Sequence, residues 1–226
     1  MDERKSGQLG PQGVYMHGYF ITFEGGEGAG KTTLAGRIRD ALQAVGHDVE
    51  YTREPGGTVF GEELRRCLLH RKPGEKIHPK AELFVFLASR VQLLEEVIKP
   101  AVARGAIVLC DRFSDSTIAY QGSGKALGHD YVASCCQLAT NGFEPNLTFF
   151  IDLKPGIGLT RISKRQSGAP LDRMEQETLA FHERVRIGFI ELAKKFPKRI
   201  ICLDGTLGPD ELFEKALAHI KTLIQQ

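Results

Sequence analysis

The chain has 226 residues, a net charge of +2, 42% hydrophobic and 26% charged content. A chain of this size buries a sizeable core in one large domain without staples. Its near-neutral balance argues against a nucleic-acid partner, so any anion site must come from local clustering of Lys and Arg.

Residues 1–17 are polar, lack the apolar core of a signal peptide, and read as a disordered extension ahead of a single domain over 18–226. No apolar run approaches the roughly 18 residues that a membrane span needs. The strand-like run 19–25 (YFITFEG) stops at glycine, and 31–46 carries Leu34, Ile38, Leu42 and Val45 at helical spacing before Gly46. A second strand is predicted over 47–55 and a helix over 61–70. A long helix follows over 80–104, with Leu83, Leu87, Val91, Leu94 and Ile98 on one stripe. Residues 106–113 (AIVLCDRF) form a third, almost wholly apolar strand; 147–153 and 198–205 are two more. Helices fill 131–141, 156–165, 174–196 and 209–225. The polar, basic stretch 161–173 (RISKRQSGAPLDR) reads as a surface lid. Alternating strands and helices with near-continuous apolar strands predict an α/β fold: a parallel sheet with helices on both faces. The five cysteines include no CxxC pair, and Cys110 and Cys202 lie in apolar runs, so a reducing cytosol is the expected setting.

Between the first strand and first helix, Gly25-Gly26-Glu27-Gly28-Ala29-Gly30-Lys31-Thr32 fits GxxxxGK[ST]. Glycines let backbone N–H groups close around phosphate oxygens, and the helix N-terminus adds partial positive charge. Lys31 is placed to reach the β- and γ-phosphates and Thr32 to ligate Mg²⁺, with Thr33 just behind. Asp111, ending the third strand, supplies the acidic partner for the metal. The class is then an NTP-using protein, with three branches: a small-molecule kinase, a GTPase switch, or a motor or partition ATPase. No NKxD guanine signature occurs, and the chain is short for a motor. Arg53, Arg65, Arg90, Arg112, Arg161, Arg165 and Arg173 sit at predicted strand ends, helices and the lid, which favours a kinase with a phosphorylated acceptor.

The stretches FEGGEGAGKTT (23–33), TREPGGT (52–58), SRVQL (89–93), DRFSDSTIAYQG (111–122) and LDRMEQE (171–177) together resemble the bacterial thymidylate kinase family, over residues 19 to about 220. The resemblance implies a three-layer P-loop nucleotide-kinase fold with a five-stranded parallel core and a lid at about 161–173, in a homodimer. It implies phosphoryl transfer from ATP–Mg²⁺ to dTMP on the route to dTTP. By the same resemblance Phe86 stacks on thymine and Arg90 bonds a base carbonyl; four apart on a helix, they share a face. Ser116, Thr117, Tyr120 and Gln121 line base and sugar, with Tyr120 standing where a ribose 2′-hydroxyl would fit. Arg112 and Arg65 bind the dTMP phosphate, and Pro55 shapes the same pocket. Arg53 and Glu54 are ambiguous between substrate contacts and structural ion pairs, and Glu27 falls near the acceptor's sugar or metal. Some relatives carry an arginine inside the P-loop, but here Gly28 follows Glu27. The catalytic cation is therefore expected from the lid, at Arg165, with Arg161 as the alternative. The loop after the last strand (LDGT, 203–206) is expected near the adenine. Another acceptor such as dUMP, or a nucleotide-binding protein without transfer, are the competing readings.

Overall fold

The computed structural model describes residues 18–69, 76–164 and 172–225, and Gln8–Leu9 paired antiparallel with Tyr15–Met16. A five-stranded sheet organises the body: β1 (Tyr19–Gly25), β2 (Val49–Arg53), β3 (Ile107–Asp111), β4 (Leu147–Asp152) and β5 (Ile200–Asp204). All neighbours are parallel, in the order β2-β3-β1-β4-β5. The apolar runs have a direct cause: β3 is buried at every position, and β1 and β4 nearly so, because helices cover both faces. The edge strands β2 and β5 are only partly buried.

Alternate side chains enter opposite cores. Ile21, Phe23, Leu109 and Phe149 pack with α1 (Lys31–Ala44) and α9 (Pro209–Ile224), through Leu34, Ile38, Leu212 and Ile220. On the other face, Phe20, Val108 and Cys110 meet Leu93, Leu94 and Ile98 from the long helical stretch beginning with α3 (Pro79–Leu93). Phe150 stacks on Phe189 of α8 (Leu179–Lys195) at 5.2 Å between centroids. Truncating a buried aromatic such as Phe149 to alanine costs about 3–5 kcal/mol.

The helix expected over 80–104 is continuous but not uniform. After α3, a π-helical stretch spans Leu94–Ile98 and leads into α4 (Lys99–Ala103). Pro100 cannot donate to the carbonyl four residues back, and the wider turn ahead of it accommodates that loss. Leu83, Leu87, Leu94 and Ile98 are buried as expected, whereas Val91 is 39% exposed and Leu93 takes the inward position. Cys202 also departs from expectation: it is exposed on the edge strand, and Cys110 alone of the two sits in the core.

Helices α2 (Val59–Leu69), α6 (His129–Thr140) and α7 (Pro155–Ser163) match the predicted segments within two residues. Arg161 and Lys164 lie at the end of α7 rather than in a loop, and α8 begins five residues later than expected. Arg165, with the rest of 165–171, lies outside the described residues.

Candidate active site

The loop from Gly25 to Gly30 leaves the carboxyl end of β1 and opens α1. Gly28 and Gly30 are left-handed, with φ of 67° and 96°. Ala29 is buried, Gly26 has nothing within 4 Å of a built Cβ, and Thr33 is exposed at the helix start. Lys31 folds back and donates from Nζ to the Gly26 carbonyl at 2.8 Å, spanning the loop. Burial and the neighbouring Arg112 push its pKa down.

Thr32 Oγ1 donates to Asp111 Oδ2 at 2.5 Å, so the helix start and the end of β3 present paired oxygens. Such hard ligands suit Mg²⁺, which fills most of its shell with water and substrate phosphates rather than protein groups. Among the described residues, no group of three or more His, Cys, Asp or Glu could hold a metal.

Gly28 has a steric reason to be glycine. A Cβ there would lie 2.2 Å from the carbonyl oxygen of Gly158, and one on Gly158 would lie 2.1 Å from the Glu27 carbonyl oxygen. The first turn of α7 therefore docks backbone to backbone on the P-loop. One turn on, Arg161 donates to the Gly28 carbonyl at 3.5 Å and to the Gly205 carbonyl at 3.2 Å. It bridges the P-loop and the loop after β5.

Beside the P-loop opens a cleft of about 660 Å³, lined by Lys31, Thr32 and Asp111 on one side. Glu27, Glu54, Pro55 and Arg65 contribute from the P-loop, the end of β2 and α2. Phe86 and Arg90 enter from α3, and Arg112, Ser116, Thr117, Tyr120 and Gln121 from the strap behind β3. Every residue assigned to the acceptor by resemblance thus lines one cleft. The strap is a short helix α5 (Ser114–Thr117) running into a π-helical turn, Ile118–Gly124, which carries Tyr120 and Gln121. π-helical turns of this kind recur at functional sites.

Arg112 is the most constrained group. Its backbone is left-handed at φ 73°, a region unfavourable for a side chain with a Cβ. Its N–H donates to the Phe23 carbonyl at 3.0 Å. Nη1 reaches the Gly25 carbonyl and Ser116 Oγ at 3.0 and 3.1 Å; Nη2 reaches Glu27 and the Tyr120 hydroxyl at 2.6 and 3.1 Å. Tyr120 in turn donates to Glu27 at 2.7 Å. Burial works against a charged Glu27, but Arg112 and Lys31 outweigh it and hold the carboxyl down at about 2.

Arg90 is 1% exposed and pairs with Glu54, which is 5% exposed. Nε donates to both Glu54 oxygens at 3.1 and 2.9 Å, and Nη2 also reaches Thr117 Oγ1 at 2.8 Å. Burial pushes the Glu54 carboxyl upward, and the Arg90 guanidinium, bonded to both of its oxygens, opposes that shift. Glu54, ambiguous in sequence, is thus the residue that holds Arg90. Arg53 lines the cleft and pairs there with Glu62, which also lines it, at 3.2 Å. Among the described residues Arg65 commits one donor, Nη1 to the Pro55 carbonyl at 2.7 Å, which leaves further N–H groups for a ligand.

Sequence reading missed several contributors. Glu24, the last residue before Gly25, is fully buried and accepts from the Phe113 N–H at 2.7 Å and from Ser116 Oγ. It ties β1 to the strap that carries Arg112. Burial and nearby Asp115 push its pKa up to about 8. A carboxylate in an otherwise apolar strand was the available signal. Asp172, Met174 and Glu175 also line the cleft. Arg173, placed in the lid by sequence, pairs with buried Glu82 and donates to the Leu68 carbonyl at 3.1 Å.

The thymidylate kinase family model matches residues 23–216. A thymidylate kinase of Protochlamydia amoebophila is 46% identical over 208 residues, spanning 90% of this chain and 92% of its own. One from Deinococcus radiodurans is 48% identical over 195 residues, spanning 86% and 92%. The crystal structure of thymidylate kinase from Ehrlichia chaffeensis superposes with a TM-score of 0.72 at 30% identity, over 90% of this chain and 99% of that one. With the P-loop, its paired oxygens and the arginine-lined cleft beside them, these likenesses show that the chain belongs to the thymidylate kinase family of P-loop nucleoside monophosphate kinases.

Proposed function

We propose that the protein transfers the γ-phosphoryl group of ATP to dTMP, giving ADP and dTDP, with its donor on the P-loop and its acceptor in the adjoining cleft. The observation that carries this reading is the convergence of Lys31, Thr32 and Asp111 with the Phe86, Arg90, Arg65 and Arg112 side chains around one cavity. Phosphoryl transfer needs positioning and charge neutralisation more than covalent chemistry. The P-loop N–H groups and Lys31 bind the ATP phosphates. Thr32 and Asp111 would hold Mg²⁺, which would neutralise charge on the phosphates. ATP's adenine rests near the loop after β5, at the Arg161–Gly205 contact.

In the cleft, Phe86 stacks on the base and Arg90, held by Glu54 and Thr117, offers it a remaining donor. Arg65 binds the acceptor phosphate through its uncommitted N–H groups. Arg112 joins it through Nε–H, since its terminal nitrogens already serve Gly25, Ser116, Glu27 and Tyr120. Tyr120 packs against the deoxyribose. The acceptor is already an anion, so no strong general base is required. The charge of the transferring group is met by Arg165: Gly28 has no room for a side chain, and Arg161 is engaged on two carbonyls.

The working unit is a cytosolic homodimer. Phe84 and Val91 on α3, and Tyr131 and Leu138 on α6, each lie seven apart, are exposed, and form an apolar stripe on two adjacent helices. A second copy covers this stripe. Phe84→Glu with Leu138→Glu is expected to sediment as a monomer; a dimer of unchanged mass would refute that assignment.

A coupled assay with ATP and a panel of nucleoside monophosphates tests the reaction. dTMP is expected to exceed dUMP, dCMP and dGMP in kcat/KM. Transfer to another acceptor above dTMP, or ATP binding without transfer, would displace the reading.

A further inference from the structure

Glu82 sits in the first turn of α3, is 1% exposed, and has no part in the transfer scheme above. Its two oxygens serve different partners. Oε1 accepts from Gln121 Nε2 at 2.9 Å, and Oε2 pairs with the Arg173 guanidinium. Arg173 is held in turn by the Leu68 carbonyl. The end of α2, the start of α3, the turn behind β3 and the stretch after 172 therefore meet at one buried carboxylate.

We propose that Glu82 sets the donor–acceptor polarity of Gln121 in the cleft, and through it the choice of nucleobase. A carboxylate paired with arginine offers only lone pairs. Gln121 must turn its NH₂ group toward it, because the flipped amide would set oxygen against oxygen. The amide oxygen is the end left over, and none of the described residues donates to it. Gln121 lines the cleft, as do Phe86 and Thr117. An acceptor there matches a base with a ring N–H at position 3, as in thymine and uracil. It opposes cytosine, whose N3 is itself an acceptor. Sites that match hydrogen bonds in this way discriminate more strongly than apolar pockets of the same shape. Glu82 is a positioning residue: it acts through Gln121 and touches no substrate. The inference rests on dTMP as the acceptor.

Glu82→Gln replaces one of the two oxygens with NH₂. Its remaining oxygen satisfies Arg173 only if its NH₂ faces Gln121, which then flips. The kcat/KM ratio of dTMP over dCMP is expected to fall about tenfold, the worth of one mispaired hydrogen bond, with dTMP KM rising. kcat at saturating dTMP and KM for ATP are expected to stay within about twofold, since neither depends on base polarity. In a Gln121→Leu background, Glu82→Gln is expected to change the ratio no further. Wild-type turnover of dTMP, measured first, tests the acceptor assignment separately. An unchanged dTMP/dCMP ratio in folded Glu82→Gln overturns the proposal, as does an effect that persists in the Gln121→Leu background. If Glu82→Gln does not fold, Gln121→Leu alone decides: a lowered ratio supports the proposal and a wild-type ratio overturns it.

Discussion

The two sides of the active site are built differently. The P-loop side is mostly backbone: eight consecutive residues, three of them glycines at positive φ, with Lys31 as their one cation folded across. The cleft side is mostly buried charge, drawn from the end of β2, α2, α3 and the strap behind β3. Its arginines are held by distant carboxylates, Arg90 by Glu54 and Arg112 by Glu27. A backbone cradle is local and suits any nucleoside triphosphate; a set of braced side chains is long-range and suits one acceptor. Removing one partner of a buried pair strands the other, at about 3–5 kcal/mol, so the cleft is the more fragile half.

The comparison can be broken where catalysis leaves both halves. Arg165→Ala is expected to lower kcat by roughly 10³–10⁵, as loss of a phosphoryl-clamping arginine does, with little change in dTMP KM. If Arg161→Ala has that effect and Arg165→Ala keeps wild-type kcat, the cation comes from α7 instead. Lys31→Ala removes the one cation of the backbone half. It is expected to cost roughly 10²–10³ in kcat, the range for one preorganised charged donor; turnover near wild type would mean the loop carries the phosphates alone.

A pH profile sharpens the contrast beneath both halves. Glu24 has a folded pKa of about 8 against a reference of 4.5, so the folded state binds more protons between those values. Stability from this group is fully present below about pH 4.5 and declines as pH rises through 8, with a slope approaching about 1.4 kcal/mol per pH unit. Denaturant unfolding of Glu24→Gln from pH 5 to 8 is expected to lack that slope. A variant profile parallel to wild type would remove Glu24 as its cause. Glu27, held at about 2, contributes in the opposite sense: its stabilisation is present above about pH 4.5 and is lost only as pH falls through 2.

The same contrast explains what was legible in the sequence. The strands, the P-loop and Asp111 follow from local patterns: apolar runs, a glycine motif and a strand-terminal acid. The cleft residues came through family resemblance, because nothing local in Phe86 or Tyr120 marks a base site. The pairings were beyond both. Glu54 bracing Arg90 spans 36 positions, and Arg173 reaching Glu82 spans 91. The Val91 stripe failed for a different reason: at about 100° per residue Val91 lies at the edge of the face set by Leu83, Leu87 and Leu94, and stays partly exposed. Glu24 was hidden because a strand's periodicity says nothing of what a buried carboxylate holds.

The central claim is that the cleft holds the acceptor's phosphate while the P-loop holds ATP. Arg65 tests it most directly, since it lines the cleft, keeps N–H groups uncommitted and braces no carboxylate of the site's core. In steady-state kinetics of Arg65→Ala, dTMP KM is expected to rise about tenfold, the worth of a charge-assisted hydrogen bond, with KM for ATP unchanged. An equal rise in the ATP KM, or no change in the dTMP KM, would contradict the account.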